Sequence, residues 1–400
     1  MRWLTLLILI ASNSLLILAH ASTEKIRYTE QRITLRDETY TIKLPIGYQL
    51  ELLTEELSAP RMLTFTDNGD LFIGARSGDV YRLQPPYRKV ETLITLQGYP
   101  HSIAFKNGKI LIAFTNGVYQ TDYKDQHQLR TQDLSLLAAL PGGGGHNSRT
   151  IAVGPDNRLY ASLGISGNCS EQYLGKPYSF NERRGGVLVL DEGANPPQWL
   201  TYGSGLRNPV GFDWHPQTKD LYASNNGPDH LGYDLPPEYF SRVTAGSFHG
   251  MPWFQYDGKQ LRRDNCAGSK PPRPITDVAV PAATFPARNA PMGVAFVPTG
   301  SMGKIFEHDA LVALKGSWGT QPRGDSRGDI STRRHPKIVA VRFENGQAKR
   351  VDDLLTGFQL ENGRRWARPT GITIGPDGAV YFTSDSAING LFRIKKVELK

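Results

Sequence analysis

The chain has 400 residues, of which 39% are hydrophobic and 10% aromatic. This is a normal globular composition, and it argues against a disordered protein. The 41 glycines and 27 prolines, with segments rich in β-branched and aromatic residues, favour a turn-rich all-β fold over a helical one. A net charge of +8 suits an anionic ligand or surface. The basic residues are scattered, without a basic run interleaved with aromatics, so we expect no nucleic-acid partner.

The N-terminus has the pattern of a targeting segment. Arg2 precedes a mainly apolar run from Leu6 to Leu18, which is followed by Ala19-His20-Ala21, a small-x-small cleavage form. We therefore expect a signal peptide over residues 1–21 and a periplasmic or secreted mature protein. A membrane anchor is the alternative, but the run is shorter than the ~20 residues that span a bilayer, so we expect no transmembrane segment after cleavage.

One phrase recurs six times along the chain: a short alternating strand, a turn, and a second strand. The copies begin at Met62, Ser102, Thr150, Val210, Gly293 and Gly371. Aligned on the last residue of the first strand, their anchors are Phe65, Phe105, Val153, Trp214, Phe296 and Ile374. Turn residues such as those of Gly375-Pro376-Asp377-Gly378 separate the two strands.

The spacing of the anchors predicts the architecture. Successive anchors are 40, 48, 61, 82 and 78 residues apart, and a four-stranded propeller blade takes about 40 to 50 residues. We therefore predict a six-bladed β-propeller over residues 22–400, as one domain, with insertions in the later blades. A two-sheet sandwich is the alternative, but it does not generate a six-fold phrase.

Polar residues recur just before the first strand of each repeat. In a propeller these loops converge at one end of a central channel, so residues far apart in sequence become neighbours. They include His101, His146, Arg207, Asn208, Asn289 and Arg368. His146 follows four glycines in the stretch PGGGGHNSRTI, and glycine permits a close approach of the backbone to a flat ligand. A flexible loop is the plainer interpretation of these glycines.

Two longer loops add candidate ligands. SNNGPDHLGYDLPPEYF, from Ser224, offers the carbonyls of Gly227 and Pro228 with the acidic side chains of Asp229, Asp234 and Glu238. Hard oxygen ligands in an irregular loop suit calcium, although a solvated acidic loop fits equally well. ALKGSWGTQPRGDSRGD, from Ala313, offers Lys315, Trp318, Arg323 and Arg327: cations for a carboxylate and an aromatic surface for stacking, or simply a solvated basic loop.

The chain has two cysteines, Cys169 and Cys266, and the expected export would place them in an oxidising compartment. An even number of cysteines in an oxidising compartment is usually paired. The pair is therefore a candidate disulfide.

The ordered set of motifs resembles the soluble quinoprotein sugar dehydrogenases, and more closely their L-sorbosone dehydrogenase branch. The matching segments are GGGGHNSRTIAVGPDNRLYASLG, GLRNPVGF, NNGPD with PPEYF, GSFHGMPW, APMGVAF, ALKGSW and ARPTGITIGPDGAVYFTSD, and the resemblance runs from about Leu44 to Ile394. Members of that family are six-bladed propellers. They oxidise sugars with pyrroloquinoline quinone (PQQ) and calcium, and pass electrons to an external quinone or cytochrome.

The resemblance implies a role for each candidate residue. Lys315 and Arg368 would pair with carboxylates of the cofactor, Arg207 and Asn208 would hold its quinone side, and the carbonyls of Gly227 and Pro228 would hold calcium. His146 would be the general base for an aldose or a sorbosone-like keto-aldehyde, assisted by Arg207. His101 would contact the cofactor, and Trp318 and Trp366 would form an aromatic platform.

The chain departs from the glucose-oxidising branch at three points. Gly145 stands where that branch has an aspartate before the catalytic histidine, Tyr99-Pro100-His101 replaces its Gln-Gly-Leu-Leu phrase, and Trp366 replaces the first arginine of an Arg-x-Arg pair. Two other functions remain open. One is a calcium-dependent lactonase of the gluconolactonase type, and the other is a propeller that binds carbohydrate or protein without catalysis.

Overall fold

The structure of the protein is a computed structural model that describes residues 25–125, 127–175 and 178–398. The expected signal peptide lies outside these residues. The described chain is almost entirely β-structure, and its helical residues are four single 3-10 turns: Thr131–Asp133, Phe180–Glu182, Ile275–Asp277 and Ile330–Thr332. The all-β prediction is therefore confirmed. Among the described residues, no helix has the length and apolar character needed to cross a membrane.

Three strands precede the repeats, and six sheets follow. The strands are β1 (Tyr28–Leu35), β2 (Glu38–Pro45) and β3 (Tyr48–Thr54); in blade one β4 (Pro60–Phe65), β5 (Leu71–Ala75), β6 (Asp79–Leu83) and β7 (Glu91–Thr95); in blade two β8 (Ser102–Lys106), β9 (Lys109–Phe114), β10 (Gly117–Asp122) and β11 (Ser135–Ala139); in blade three β12 (Ile151–Val153), β13 (Leu159–Leu163), β14 (Gly186–Asp191) and β15 (Gln198–Ser204).

The later blades carry the insertions. Their strands are, in blade four, β16 (Phe212–Trp214), β17 (Leu221–Asn225) and β18 (Glu238–Val243), then β19 (Ser247–Phe248), β20 (Phe254–Tyr256), β21 (Leu261–Arg263) and β22 (Ala283–Phe285); in blade five β23 (Pro291–Phe296), β24 (Ala310–Leu314), β25 (Lys337–Glu344) and β26 (Gln347–Leu355); in blade six β27 (Pro369–Ile374), β28 (Val380–Ser386) and β29 (Ile388–Lys396). The strand β22 is the fourth strand of blade four, β19 pairs with the edge of blade three, and β20 and β21 form a separate hairpin.

The six-bladed propeller is confirmed, and every anchor residue lies in the first strand of its sheet. Residues from all six of these first strands line a central cavity of about 590 Å³. They are therefore the innermost strands. The loops before them meet at one end of the channel, as the repeat alignment predicts.

The blades pack face to face through apolar clusters, each shared by two neighbours. One cluster joins Phe72 and Leu93 of blade one to Ile110 and Ile112 of blade two, and equivalent clusters fill the other interfaces. Because both faces of every sheet are covered, the alternating strands of the sequence bury one set of side chains on each side.

Blade six is closed by the N-terminal strand. In that sheet the order is β27-β28-β29-β3, and β29 pairs antiparallel with β3 from Leu391↔Thr54 to Lys396↔Tyr48. A strand that precedes the repeats and the last strands of the chain are thereby held in the same sheet. This closure removes the exposed edges that an open ring of sheets would leave at its first and last blades.

Candidate functional site

His146 lies at the channel end of blade three, and two hydrogen bonds to one carbonyl fix it. Its backbone nitrogen is 3.2 Å and its Nδ1 2.7 Å from the oxygen of Ile165. A carbonyl only accepts, so Nδ1 carries the proton, and Nε2 is the free acceptor of the neutral ring. Burial, with the nearby charge of Arg207, lowers the pKa of His146 to about 4. The ring is therefore neutral at pH 7 and is suited to accept a proton.

Gly145 explains how His146 is oriented without an aspartate beside it. The residue has φ +78°, and a Cβ there would lie 1.7 Å from the carbonyl oxygen of Ser166. No other residue type fits this position without rebuilding the loop. The carbonyl of Ile165 takes the orienting role that a carboxylate has in the glucose-oxidising pattern.

Gly164 brings His146 close to Asn208. A Cβ on Gly164 would lie 2.4 Å from Oδ1 of Asn208 and 2.5 Å from Cβ of His146. The Asn208 backbone nitrogen donates to Asn225 Oδ1 at 3.0 Å. Its own buried Oδ1 has no partner in the described part of the chain. The structure thus brings together two predicted site residues from different blades, His146 and Asn208. The Oδ1 atom of Asn208 is left as an acceptor for a ligand.

Arg207 is buried beside this pair and is held by Asn168. Its Nε donates to the Asn168 carbonyl at 2.9 Å and its Nη2 to Asn168 Oδ1 at 3.0 Å, while Nη1 lies 3.3 Å from the carbonyl of Asn226. Burial lowers the pKa of Arg207, and the Asp229 carboxylate 3.7 Å away partly offsets this effect. The guanidinium remains charged at neutral pH.

The predicted calcium loop has free backbone oxygens and a buried carboxylate behind it. The carbonyls of Gly227 and Pro228 accept no hydrogen bond from other described residues. Glu238 Oε2 accepts the backbone N–H of Gly227, and burial raises the pKa of this carboxyl to about 7. Asp229 forms an ion pair with Arg288, whose Nη1 lies 2.6 Å from Oδ1 of the aspartate. Asp234 is exposed and pairs with Arg334, so it does not join the candidate calcium site.

On the opposite side of the channel mouth, Lys315 meets two residues absent from the predicted set. Its Nζ lies 2.5 Å from Asp385 Oδ2, and Arg61 binds the same oxygen. Burial and the Arg61 charge lower the pKa of Lys315 to about 7. Burial alone would raise the pKa of Asp385, but the pairs with Lys315 and Arg61 outweigh it and lower that pKa to about 2. Arg368 binds the carbonyls of Lys315 and Gly316 at 2.9 and 3.0 Å.

The sequence contained a signal for both missed residues. Arg61 directly precedes the repeat copy that begins at Met62, near the start of the first strand of blade one, and Arg207 and Arg368 lie just before the first strands of their blades. Aligning the second strands places Asp385 at the position of Gly164 and Asn226, so the ends of the second strands supply site residues as regularly as the loops before the first strands.

The donor set fits a flat polycarboxylate with a hard cation. Lys315, Arg61, Arg207 and Arg368 converge on the channel mouth, and buried polar atoms there have no partner within the described ranges: Arg61 Nε, Asn208 Oδ1, Asn289 Oδ1 and Asp385 Oδ1. Unpartnered buried polar groups are costly. A ligand with both donors and acceptors would satisfy them, and the carbonyls of Gly227 and Pro228 are typical calcium ligands.

One predicted contact needs correction. Trp366 is only 3% exposed: it packs on Tyr40 and Phe358 in the core, and its Nε1 donates to Gly357 O at 2.7 Å. It therefore cannot form a sugar platform. His101 is 0% exposed and donates Nδ1–H to the carbonyl of Arg149 at 3.1 Å. Its Nε2 has no partner among the described residues, and its contact with a cofactor stays a prediction. Trp318 is 51% exposed and remains available for stacking.

Cys169 and Cys266 form a disulfide at the rim of the site. His230 lies beside it, with Nδ1 3.2 Å from the sulfur of Cys169 and Nε2 2.8 Å from Asp264 Oδ1. Both sulfurs are committed to the bond, so this group is a covalent link between the insertions of blades three and four.

Comparison with known proteins agrees with this fold. The family model described as TrAA12-like matches residues 42–236. An uncharacterized protein of Borreliella burgdorferi is 25% identical over 90% of this chain and 93% of its own length. A pyrroloquinoline quinone-dependent sugar dehydrogenase of Hypocrea jecorina is 22% identical over 90% of this chain and 91% of its own length.

Solved structures share the architecture. The Trichoderma reesei enzyme of carbohydrate-active enzyme family AA12 has a TM-score of 0.74 and 20% identity, covering 88% of this chain and 97% of its own. The holo PQQ domain of pyranose dehydrogenase from Coprinopsis cinerea has a TM-score of 0.71 and 18% identity, covering 89% and 97%. The resemblance to the soluble PQQ-dependent sugar dehydrogenases is therefore confirmed, and the fold is a propeller of that kind.

Proposed function

We propose that the protein is an exported PQQ- and calcium-dependent dehydrogenase that oxidises an aldose or a sorbosone-like keto-aldehyde sugar. One observation carries the proposal. A neutral histidine with a free Nε2 stands at the channel mouth next to Arg207 and Asn208, and three further cations surround the same opening. A proton acceptor beside a concentrated positive field suits oxidation of a hydroxyl next to an anionic cofactor.

Each residue has a physical task in this reaction. When bound, PQQ would supply the hydride acceptor and calcium the Lewis acid that polarises it. Lys315, Arg368 and Arg61 would hold carboxylates of the cofactor, and the carbonyls of Gly227 and Pro228 would hold the cation. Arg207 and Asn208 would orient the flat ligand next to His146. The Nε2 atom of His146 would accept the proton of the sugar hydroxyl that is oxidised.

The lactonase alternative is less well supported by the channel mouth. A lactonase of that class needs Asp, Glu and Asn side chains gathered around its metal. Here the carboxylates are already committed: Asp385 to Lys315 and Arg61, Asp229 to Arg288, and Glu238 to the backbone of Gly227. The surrounding cations attract an anionic ligand, which favours the anionic quinone cofactor over a neutral lactone.

The test is a titration of metal-free protein with PQQ, with and without calcium, followed by a panel of aldoses and keto-aldehyde sugars and an artificial dye as acceptor. We expect calcium-dependent binding and bleaching of the cofactor by at least one sugar. Binding without reduction by any sugar would support a non-catalytic propeller. Lactone hydrolysis without quinone would support the lactonase.

The His146→Ala variant tests whether His146 is the general base. Turnover should fall by at least about a hundredfold, while PQQ affinity changes little, because the cations and the calcium loop are untouched. His127→Ala is the matched control, since His127 is exposed and pairs with Glu91 away from the channel. Unchanged turnover in His146→Ala would remove this residue from the mechanism.

Export is tested separately by sequencing the N-terminus of the mature protein, which should begin near Ser22.

A further inference from the structure

We propose that Arg184 and Arg149 are positioning residues that grip the backbone carbonyl of His146 from two sides, fixing the imidazole and keeping it neutral. The inference rests on the proposed role of His146 as the base. Both arginines are buried, and neither is among the candidate ligands of cofactor or metal. Their effect passes through His146.

Arg184 ties the loop before His146 to the strand end behind it. It is 1% exposed, and its guanidinium binds only carbonyls. Nη2 donates to His146 O at 2.8 Å, Nη1 to Gly144 O at 2.9 Å, and Nε to Gly164 O at 2.6 Å. Gly164 is the residue that contacts both His146 and Asn208, so one planar side chain fixes the distance between the histidine and its neighbour.

Arg149 grips the same loop from the other side. It is 0% exposed, and its Nη1 donates to His146 O at 3.1 Å and to Ser148 O at 2.8 Å, while Nη2 donates to Pro141 O at 2.8 Å. The carbonyl of Arg149 is held in turn by His101. The glycine-rich loop therefore folds around two guanidinium groups. This packing explains the glycines without requiring a bound ligand.

The charges are the unusual part of this arrangement. Burial lowers the pKa of Arg149 to about 9 and that of Arg184 to about 10, and neither arginine has an ion pair with a carboxylate in the described part of the chain. Burying uncompensated cations is costly, and neutral amide donors would satisfy the same carbonyls. The charges that act on the pKa of His146 are both cationic, Arg207 and Arg184, while Arg149 contacts its backbone carbonyl. Positive charge on these sides opposes protonation of the ring.

Two substitutions separate geometry from charge. Arg184→Met removes both, whereas Arg184→Lys keeps the charge but cannot bridge the carbonyls of His146 and Gly164. The first measurement is an NMR titration of isotope-labelled histidines in cofactor-free protein, with His146 assigned by its absence in His146→Ala. We expect the His146 pKa to rise by roughly half a unit or more in Arg184→Met and to stay low in Arg184→Lys.

The second measurement is PQQ-dependent turnover across pH. We expect kcat to fall about tenfold to a hundredfold in both variants, because a displaced base costs rate, with KM for the sugar changed much less. Arg183→Met is the control: Arg183 is the preceding residue, and its Nε donates to the carbonyl of Tyr178 instead. If Arg184→Met does not fold, Arg184→Lys and Arg149→Lys, which keep the charge and cannot bridge the same carbonyls, still test the positioning role. We then expect kcat to fall while the His146 pKa stays low, and unchanged kcat in both would overturn the role.

The outcomes distinguish this inference from the proposed function. An unchanged His146 pKa and unchanged kcat in a folded Arg184→Met protein would overturn the positioning role even if the enzyme oxidises sugars. A shifted His146 pKa in a protein that oxidises no sugar would support the electrostatic grip and reject the dehydrogenase. A kcat loss with an unshifted pKa in both variants would reject the charge effect and support fixation of the ring alone.

Discussion

At the scale of single residues, the site depends on how one imidazole is kept neutral. Burial and the charge of Arg207 lower the pKa of His146 to about 4. The base proposed for the reaction would be active only when unprotonated, so its useful range would extend from neutral pH down to near this value. A histidine in water would already be half protonated near pH 6.5.

This shift predicts the acid limb of the pH profile. We expect kcat/KM to stay level from about pH 7 to about pH 5 and then to fall with a midpoint near 4. The measurement is steady-state oxidation of the best sugar with PQQ and calcium saturating at every pH. Circular dichroism at pH 4 controls for unfolding. A midpoint near 6.5 would mean that burial and Arg207 do not act on this residue.

The glycines before His146 make a second prediction at this scale. In Gly145→Ala the new Cβ must avoid the Ser166 carbonyl, 1.7 Å from its ideal position, at a positive φ. We expect a loss of about 2 kcal/mol or more in unfolding free energy and a larger loss of turnover, because His146 moves with the loop.

Gly144→Ala is the matched control for this prediction. A Cβ on Gly144 meets nothing within 4 Å, so urea unfolding and turnover should stay near those of the unchanged protein. Equal behaviour of the two variants would show that the loop rearranges freely, and Gly145 would then not explain the missing aspartate.

At the scale of elements, the repeat phrase predicted the six inner strands because each carries its own alternating pattern and turn. It did not predict β3 as the last strand of blade six. That strand has no partner nearby in sequence: its neighbour β29 lies more than three hundred residues away, and local periodicity contains no information about such a pairing.

The inner strands also show why close packing was not predictable from pattern alone. Gly211, Gly293 and Gly371 occupy the same position in blades four, five and six, and a Cβ on each would lie within 2.9 Å of backbone atoms of the next blade. In the sequence these glycines look like strand breakers. In the structure they let adjacent inner strands approach around the channel.

Trp366 was predicted to lie in the site, and this prediction was wrong. Its place next to Arg368 suggested a site residue, but β1 and β2 fold back over this region and bury it. Arg149 and Arg184 were missed because a buried arginine that binds only carbonyls has no sequence signature. By contrast, the predicted residues His146, Arg207 and Asn208 do lie together, and Lys315 lies beside Arg368. A propeller brings equivalent blade positions together whatever their separation in the chain, and the roles of these residues stay predictions.

At the scale of the whole molecule, the disulfide connects the site to the stability of the propeller. Cys169 and Cys266 are 97 residues apart in sequence, and closing a loop of that length in the unfolded chain contributes about 4.7 kcal/mol in the chain-entropy view. Cys169 directly follows Asn168, the residue whose carbonyl and side chain hold Arg207. The crosslink therefore supports both the fold and the position of a candidate cofactor ligand.

Replacing both cysteines by serine should thus have two effects. We expect the unfolding free energy in urea to fall by about 2 to 4 kcal/mol, and the affinity for PQQ with calcium to weaken, because Asn168 is no longer anchored beside the bond. Adding dithiothreitol to the unchanged protein should reproduce both effects, whereas the double serine variant should be insensitive to it. A loss of stability with unchanged affinity would show that Arg207 is held without the crosslink, since its contact to the Asn226 carbonyl would then be sufficient.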